Sequence, residues 1–148
     1  MNTYYQRLDL NNIKLFNDYA SDKKSISKIL VVDDVIYIQT IIKEYLGMLG
    51  INKDNIKTLS SGIECLELCK KENYDVIFMD INMAGLTGYE TTAKLRDNGY
   101  KGLIIAITGM SGDNEYVKAY KSGMNYIHIK PLNIQVIKSI LLSTKILT

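Results

Sequence analysis

Tyr74-Asp75-Val76-Ile77-Phe78-Met79-Asp80-Ile81-Asn82-Met83-Ala84-Gly85 decides the fold. Four apolar residues, Val76 to Met79, run without interruption into one carboxylate, Asp80. A short, wholly apolar run bounded by polar residues suits a strand covered on both faces, as in a parallel sheet. Such a sheet gathers its chemistry at the carboxyl ends of its strands. Asp80 stands at that end.

Outward from this strand the same pattern repeats. Lys28-Ile29-Leu30-Val31-Val32 is apolar and ends in Asp33-Asp34. Ile56 to Leu59 is a shorter strand. Leu103-Ile104-Ile105-Ala106-Ile107 ends at Thr108, and Tyr126 to Ile129 ends at Lys130-Pro131. Between them lie helical spacings. Val35 to Leu49 carries Ile38, Ile41, Ile42, Tyr45 and Leu49, and Gly50 stops it. Ser61-x-x-Glu64 and Thr87-Gly88-Tyr89-Glu90 match capping boxes that open the next two helices. Asp113 to Ser122 is stopped by Gly123, and Asn133 caps a final helix to about Ser143. Five strands alternating with five helices predict an α/β domain: a five-stranded parallel sheet with helices on both faces, because each crossover is right-handed and must cover the sheet.

Composition removes several function classes. The 148 residues suffice for one domain with a sizeable core. Lys and Arg number 18 against 16 Asp and Glu, so charge gives no case for nucleic-acid binding. No apolar run approaches the roughly 20 residues that cross a bilayer. Met1 to Arg7 has no apolar core of a signal peptide, so no membrane partner and a cytoplasmic location are expected. Residues 1–27 are polar and read as an amino-terminal extension, with a short helix over Asn12 to Ala20 and a linker from Ser21 to Ser25. Residues 28–148 form the domain. Cys65 and Cys69, four apart on one helix face, read as inward-packed thiols, since CxxxC without His partners is not a metal pattern. His128 reads as a structural histidine.

The strand ends carry the chemistry. An acid after a strand is most often a helix cap, so Asp34 alone means little. Asp33, Asp34, Asp80, Thr108 and Lys130 together are another matter, because parallel strands bring their ends to one crevice. Crowded carboxylates repel unless a cation intervenes. A hard divalent ion takes one or two carboxylates with water and phosphate oxygens. An Asp nucleophile, such an ion, a lysine and a hydroxyl are the parts that move a phosphoryl group onto a carboxylate. No Gly-x-x-x-x-Gly-Lys-Ser/Thr loop is present, which excludes a P-loop nucleotide site.

These motifs resemble the receiver domain of two-component response regulators. The resemblance covers almost all of residues 28 to 143. It rests on Ile29-Leu30-Val31-Val32-Asp33-Asp34, the Tyr74 to Met83 stretch, Thr87-Gly88-Tyr89-Glu90, Ile105-Ala106-Ile107-Thr108-Gly109, and Gly123-Met124 followed by Lys130-Pro131. It implies a flavodoxin-like, doubly wound (βα)5 fold. It implies Asp80 as phosphoacceptor, with Mg²⁺ or Mn²⁺ held by Asp33, Asp34, Asp80 and the backbone carbonyl of Asn82. Thr108 and Lys130 would contact the phosphoryl group, and Gly109 would keep the site open. The donor would be a histidine kinase or a histidine phosphotransfer protein. The Lys130-Pro131 peptide would be cis. Such a module promotes its own phosphorylation and dephosphorylation and turns over no external substrate.

Two departures bear on readout. Ala84 stands where the family usually has Pro, and Ile127 stands three before Lys130, where many receivers have an aromatic. Surface aliphatics suggest partners: Val35, Ile36 and Ile38 with Pro131 for the phosphodonor, and the last strand and helix for an output partner or a second receiver. Two other classes stay open on residues alone. A haloacid-dehalogenase-type phosphatase also uses Asp, Thr and Lys, but with its nucleophile on the first strand and a second Asp two residues on, where this chain has Asn82. A receiver-like module acting by binding alone needs none of the five site residues.

Overall fold

The computed structural model describes residues 28–147 together with the backbone of residues 5–7. The expected Asn12 to Ala20 helix and the linker after it lie outside the described residues. The strands are β1 (Tyr5–Arg7), β2 (Ile29–Val32), β3 (Ile56–Leu59), β4 (Val76–Asp80), β5 (Leu103–Thr108) and β6 (Tyr126–Ile129). The helices are α1 (Ile36–Met48), α2 (Gly62–Cys69), α3 (Gly88–Asp97), α4 (Asp113–Ser122) and α5 (Ile134–Ser143), with a 3₁₀ turn at Lys53–Asn55.

The strand order is β1-β6-β5-β4-β2-β3. Strands β2 to β6 pair in parallel, as the alternation requires. Each strand and helix predicted for residues 28–148 is present, with ends within a few residues. The addition is β1, which pairs antiparallel with β6 and makes the sheet six-stranded. Tyr5-Gln6-Arg7 carries no apolar alternation, so nothing in its side chains marks it as a strand.

Two cores sit on the two faces. Ile29, Val31, Phe78, Ile105 and Tyr126 pack under α1 and α5 with Ile42, Leu46, Val136, Ile137 and Ile140. Their neighbours Leu30, Val32, Ile77, Met79, Ala106 and Ile127 face the other way, against Cys65, Leu95 and Ala119 of α2, α3 and α4. Both faces are buried, and that is why β2, β4 and β5 read as unbroken apolar runs. Tyr126 and Ile127 fall on opposite faces, as strand alternation requires.

Local signals behave as their chemistry dictates. Thr87 and Glu90 form a complete capping box on α3. Ser61 Oγ accepts from the Glu64 amide at 3.2 Å and donates to the Glu64 carboxylate instead of completing the reciprocal bond. Asn133 Oδ1 accepts from the amides of Gln135 and Val136. Gly88 explains its own identity: a Cβ there would overlap the carbonyl oxygen of Asp80 and lie 2.8 Å from Ile81 Cα. Helix α3 therefore starts pressed against the end of β4, with Gly88 N donating to Ile81 O at 2.9 Å.

Candidate functional site

Consecutive strands β2, β4, β5 and β6 end side by side, and each delivers a polar residue at its tip. Asp33 and Asp34 follow β2, Asp80 closes β4, Thr108 closes β5 and Lys130 follows β6. The register aligns them: Val32 lies beside Met79, Asp80 beside Ile107, and Thr108 beside Ile129. The crevice opens where β2 has β3 on one side and β4 on the other, the point at which strand order reverses.

Asp34 is not a helix cap. The cap of α1 is Val35, with no side-chain bond. Asp34 is exposed and its Oδ2 accepts from the Ala84 amide at 3.4 Å, across the crevice. Asp33 is buried and its Oδ1 takes the Val35 amide at 2.9 Å. Its Oδ2 is buried with no hydrogen-bond donor. Asp80 is buried, and one of its oxygens accepts from the Asn82 amide at 3.3 Å. Ligand oxygens of Asp33, Asp34 and Asp80 all lie within 4.8 Å of one another.

The electrostatics follow from this crowding. Burial, then the neighbouring Asp33, push the Asp80 carboxyl up to about 6, against the pull of Lys130 and the Asn82 amide. Burial likewise raises Asp33, and Lys130 and the Val35 amide oppose it. Carboxylates raised by burial and by a neighbouring carboxylate, one with an unsatisfied buried oxygen, form a site whose chemistry suits a hard divalent cation. A cation satisfies the orphan oxygen and removes the mutual repulsion at once.

The other side of the crevice is cationic and polar. Thr108 is buried, and its Oγ1 accepts from the Met110 amide at 3.0 Å, leaving its own proton to donate elsewhere. Gly109 is exposed, and a Cβ there would meet nothing within 4 Å, so larger side chains would project into open space. Lys130 N donates to Thr108 O at 2.7 Å, and the Lys130-Pro131 peptide is cis. Asn82 Nδ2 reaches Met110 Sδ at 3.5 Å, bridging the loops after β4 and β5.

Some positioning residues were invisible in the sequence. Gln39 of α1 is buried and its amide nitrogen reaches Asp33 O at 2.7 Å, Leu59 O at 3.1 Å and Ser60 Oγ at 3.2 Å. It ties the loop carrying Asp33 to the end of β3. On the proposed docking side, Val35 and Ile36 are exposed and Pro131 is exposed, but Ile38 is half-buried against the core. Tyr37, 70% exposed, extends that apolar surface and was not foreseen. His128 is fully buried, with Nε2 accepting from the Asn133 amide at 3.3 Å, as fits a structural histidine.

Known proteins resemble this chain in sequence and fold. The family model described as "Response regulator receiver domain" matches residues 29–142. The osmosensing histidine protein kinase SLN1 of Saccharomyces cerevisiae is 35% identical over 136 residues, which cover 88% of this chain and 11% of that protein. Two-component response regulator 24 of Arabidopsis thaliana is 35% identical over 113 residues, covering 76% of this chain and 79% of that protein. The chain thus spans about a tenth of the length of the kinase and most of the length of the plant regulator. Among solved structures, the chemotaxis protein CheY4 of Vibrio cholerae aligns at TM-score 0.74 and 25% identity, covering 81% of this chain and 99% of its own. The response regulator TrrA of Thermotoga maritima, solved in complex with Mg²⁺ and BeF, aligns at TM-score 0.69 and 28% identity, covering 80% and 99%. No helix among the described residues is long and apolar enough to cross a membrane. The family model, the relatives and the sheet order agree: the chain belongs to the response regulator receiver domain family and is a receiver domain of two-component phosphorelay signalling.

Proposed function

We propose that Asp80 accepts a phosphoryl group from a phosphohistidine on a histidine kinase or histidine phosphotransfer protein. One observation carries the assignment: Asp80 alone stands between the Asp33–Asp34 carboxylates and the Thr108–Lys130 pair on adjoining strand tips. The Asn82 amide engages one Asp80 oxygen and leaves the other to attack phosphorus. The phosphorus–nitrogen bond to the donor imidazole breaks as the new oxygen–phosphorus bond forms. The imidazole departs with that electron pair and a proton from solvent.

Asp33, Asp34, Asp80 and the Asn82 carbonyl would hold Mg²⁺ or Mn²⁺, and the orphan Asp33 oxygen supports that ligand set. When bound, the ion offsets carboxylate charge against the incoming phosphoryl oxygens. Lys130 supplies an ammonium to one phosphoryl oxygen and Thr108 a hydroxyl donor to another. The Gly109 position leaves the approach open. Movement of the Thr108 hydroxyl toward the phosphoryl group shifts the balance of conformations at the distal faces.

The domain promotes gain and loss of its own phosphoryl group and turns over no external substrate. Residues 28–148 form the receiver, and residues 1–27 are an extension of it. Val35, Ile36 and Pro131 are the exposed part of the face that meets the donor, with Ile38 at its buried margin. An output partner or second receiver meets the last strand and helix. Near-balanced charge argues against a nucleic-acid partner. A cytoplasmic location fits a phosphohistidine donor and the lack of any helix, among the described residues, able to cross a membrane.

The test is intact mass after incubation with Mg²⁺ and a small acyl phosphate, with Asp80→Asn as control. A transient gain of one phosphoryl group, absent in the control, is expected. No gain from either the small donor or a histidine-phosphorylated partner would leave a module that acts by binding alone.

A further inference from the structure

The amino ends of the strands, opposite the acidic cluster, carry a cavity that the phosphoryl chemistry does not use. It has a volume of about 430 Å³ and lies between α2, α3 and the turns that lead into β4 and β5. Leu66, Leu95, Tyr74 and Tyr100 give it an apolar and aromatic wall, and the exposed Lys70 and Lys101 give it charge. A cavity of this size, apolar with a few polar groups, has the form of a small-molecule site.

Fixed bonds hold the wall. A Cβ on Gly102 would overlap the Tyr100 hydroxyl and lie 2.9 Å from Tyr74 O. Glycine there lets the Tyr100 hydroxyl reach the Tyr74 carbonyl, to which it donates at 2.8 Å. Arg96 Nη1 donates to Tyr100 O and to Gly102 O, each at 2.9 Å, and its guanidinium carbon stands 5.6 Å from the centre of the Tyr100 ring. The aromatic wall is therefore in place before any ligand arrives, which lowers the cost of binding.

The lining also selects the ligand. It includes two lysines and no carboxylate, so it favours an anion. Lys70 already pairs with Glu67 at 3.2 Å, whereas Lys101 has no ion-pair partner among the described residues. An adjoining hollow, which shares Leu66, Lys70 and Asn98, is lined by Glu67 and Asp97 and repels the same charge. The anionic end of a ligand thus belongs at Lys101. No histidine or acid joins the half-buried Cys69 in the wall, so the occupant is not a metal. A fixed tyrosine ring between leucines favours a flat, apolar body, since aromatic pairs gain beyond their buried area.

We propose that this cavity binds a small planar aromatic acid, its ring against Leu66, Leu95 and Tyr100 and its carboxylate at Lys101. The test titrates the full chain with 2-naphthoate, the neutral 2-naphthamide and the non-aromatic cyclohexanecarboxylate, and follows the backbone amide shifts. A probe of about 13 heavy atoms at ordinary ligand efficiency binds with a dissociation constant of about 1 mM. Naphthoate should shift the amides of residues 69–74 and 98–102 along one saturable curve, and should slow alkylation of Cys69 by iodoacetamide several-fold. Naphthamide should bind about three-fold more weakly or worse, as should naphthoate to Lys101→Glu, because each loses one exposed ion pair. Lys101 is exposed, so that variant keeps the fold. Cyclohexanecarboxylate should bind more weakly than naphthoate by a similar factor. No saturable shift in the two segments by about 10 mM naphthoate overturns the proposal. So does equal affinity for the acid and the amide, for wild type and Lys101→Glu, or for the aromatic and non-aromatic acids. None of these measurements involves transfer of a phosphoryl group, so they stand apart from the assignment of Asp80.

Discussion

Asp33 holds a buried carboxylate oxygen, which has no hydrogen-bond donor, in the same cluster as Asp80, and its charge adds to burial in raising the proton affinity of the Asp80 carboxyl. Two such groups are satisfied by a shared proton or by a cation. Millimolar Mg²⁺ should therefore raise the melting temperature. At ten times its dissociation constant a ligand adds about 1.4 kcal/mol, or roughly 3–6 °C for a domain of this size. Asp80→Asn and Asp34→Asn should each lose most of that response, as followed by differential scanning calorimetry. An equal shift in all three proteins would remove the cluster as the metal site.

The same relationship fixes a pH dependence. The Asp80 carboxyl is raised from 3.8 unfolded to about 6 folded, by burial first and Asp33 second. Between these values the folded protein binds more protons than the unfolded chain. Stability of the metal-free protein is thus highest below the unfolded value, falls as pH rises through about 4 to 6, and is flat above. The loss is on the order of 3 kcal/mol. Wild type minus Asp80→Asn, measured by urea unfolding across pH 4 to 7, should show this slope. Saturating Mg²⁺ should flatten or reverse it, because a cation favours the ionised form. A difference that does not vary with pH would contradict the burial argument.

Val35, Ile36 and Tyr37 expose apolar side chains at the start of α1, directly after the acidic pair. Nothing in the core depends on Ile36 or Tyr37, so serine at both should leave stability within about 0.5 kcal/mol. Phosphotransfer from a histidine-phosphorylated partner should slow by about ten-fold or more, as follows when an interface anchor worth about 1.4 kcal/mol is lost. Labelling by a small acyl phosphate should be unaffected. Equal rates with both donors, before and after substitution, would show that this surface does not dock the donor. Ile38→Ser serves as contrast, because its half-buried side chain packs on the core and its loss costs stability.

The sequence spoke where side-chain type is forced by environment. Strands β2, β4 and β5 are buried on both faces, so almost every position had to be apolar, and the run ending in Asp80 marked the site. The strand tips were legible only as a set: a lone acid after a strand most often caps a helix, but polar residues at the tips of four adjoining parallel strands converge on one crevice. What stayed hidden depends on backbone. Gln39 acts on two carbonyls and a hydroxyl, which impose no pattern on the residues that carry them. Strand β1 pairs through its backbone along an edge, so Tyr5-Gln6-Arg7 needed no apolar period. Ile38 and Tyr37 exchanged roles for a simpler reason: a helix face is set by a rotation of about 100° per residue, and one-residue errors move a side chain from partner to core.

Arg96 is the other backbone-reading residue, and it makes the strongest structural prediction. Its guanidinium donates to Gly123 O at 3.0 Å, Tyr100 O at 2.9 Å, Gly102 O at 2.9 Å and Asn125 Oδ1 at 2.9 Å. Asn125 Oδ1 also accepts the Ile104 amide at 2.8 Å, so one side chain joins the end of α3, the start of β5 and the turn before β6. All four contacts lie at the amino ends of the strands, opposite the acidic cluster. Only a planar fork with several fixed donors can serve these acceptors together, and a lysine ammonium on a flexible stem cannot. Arg96→Lys should cost about 2–3 kcal/mol in urea unfolding, since carbonyls half-buried around the site lose their donors. Acyl-phosphate labelling of the folded variant should stay at the wild-type rate, because no site residue depends on Arg96. A variant of unchanged stability would mean that water replaces the guanidinium at no cost, and a variant of normal stability but slowed labelling would show that this end of the sheet is coupled to Asp80.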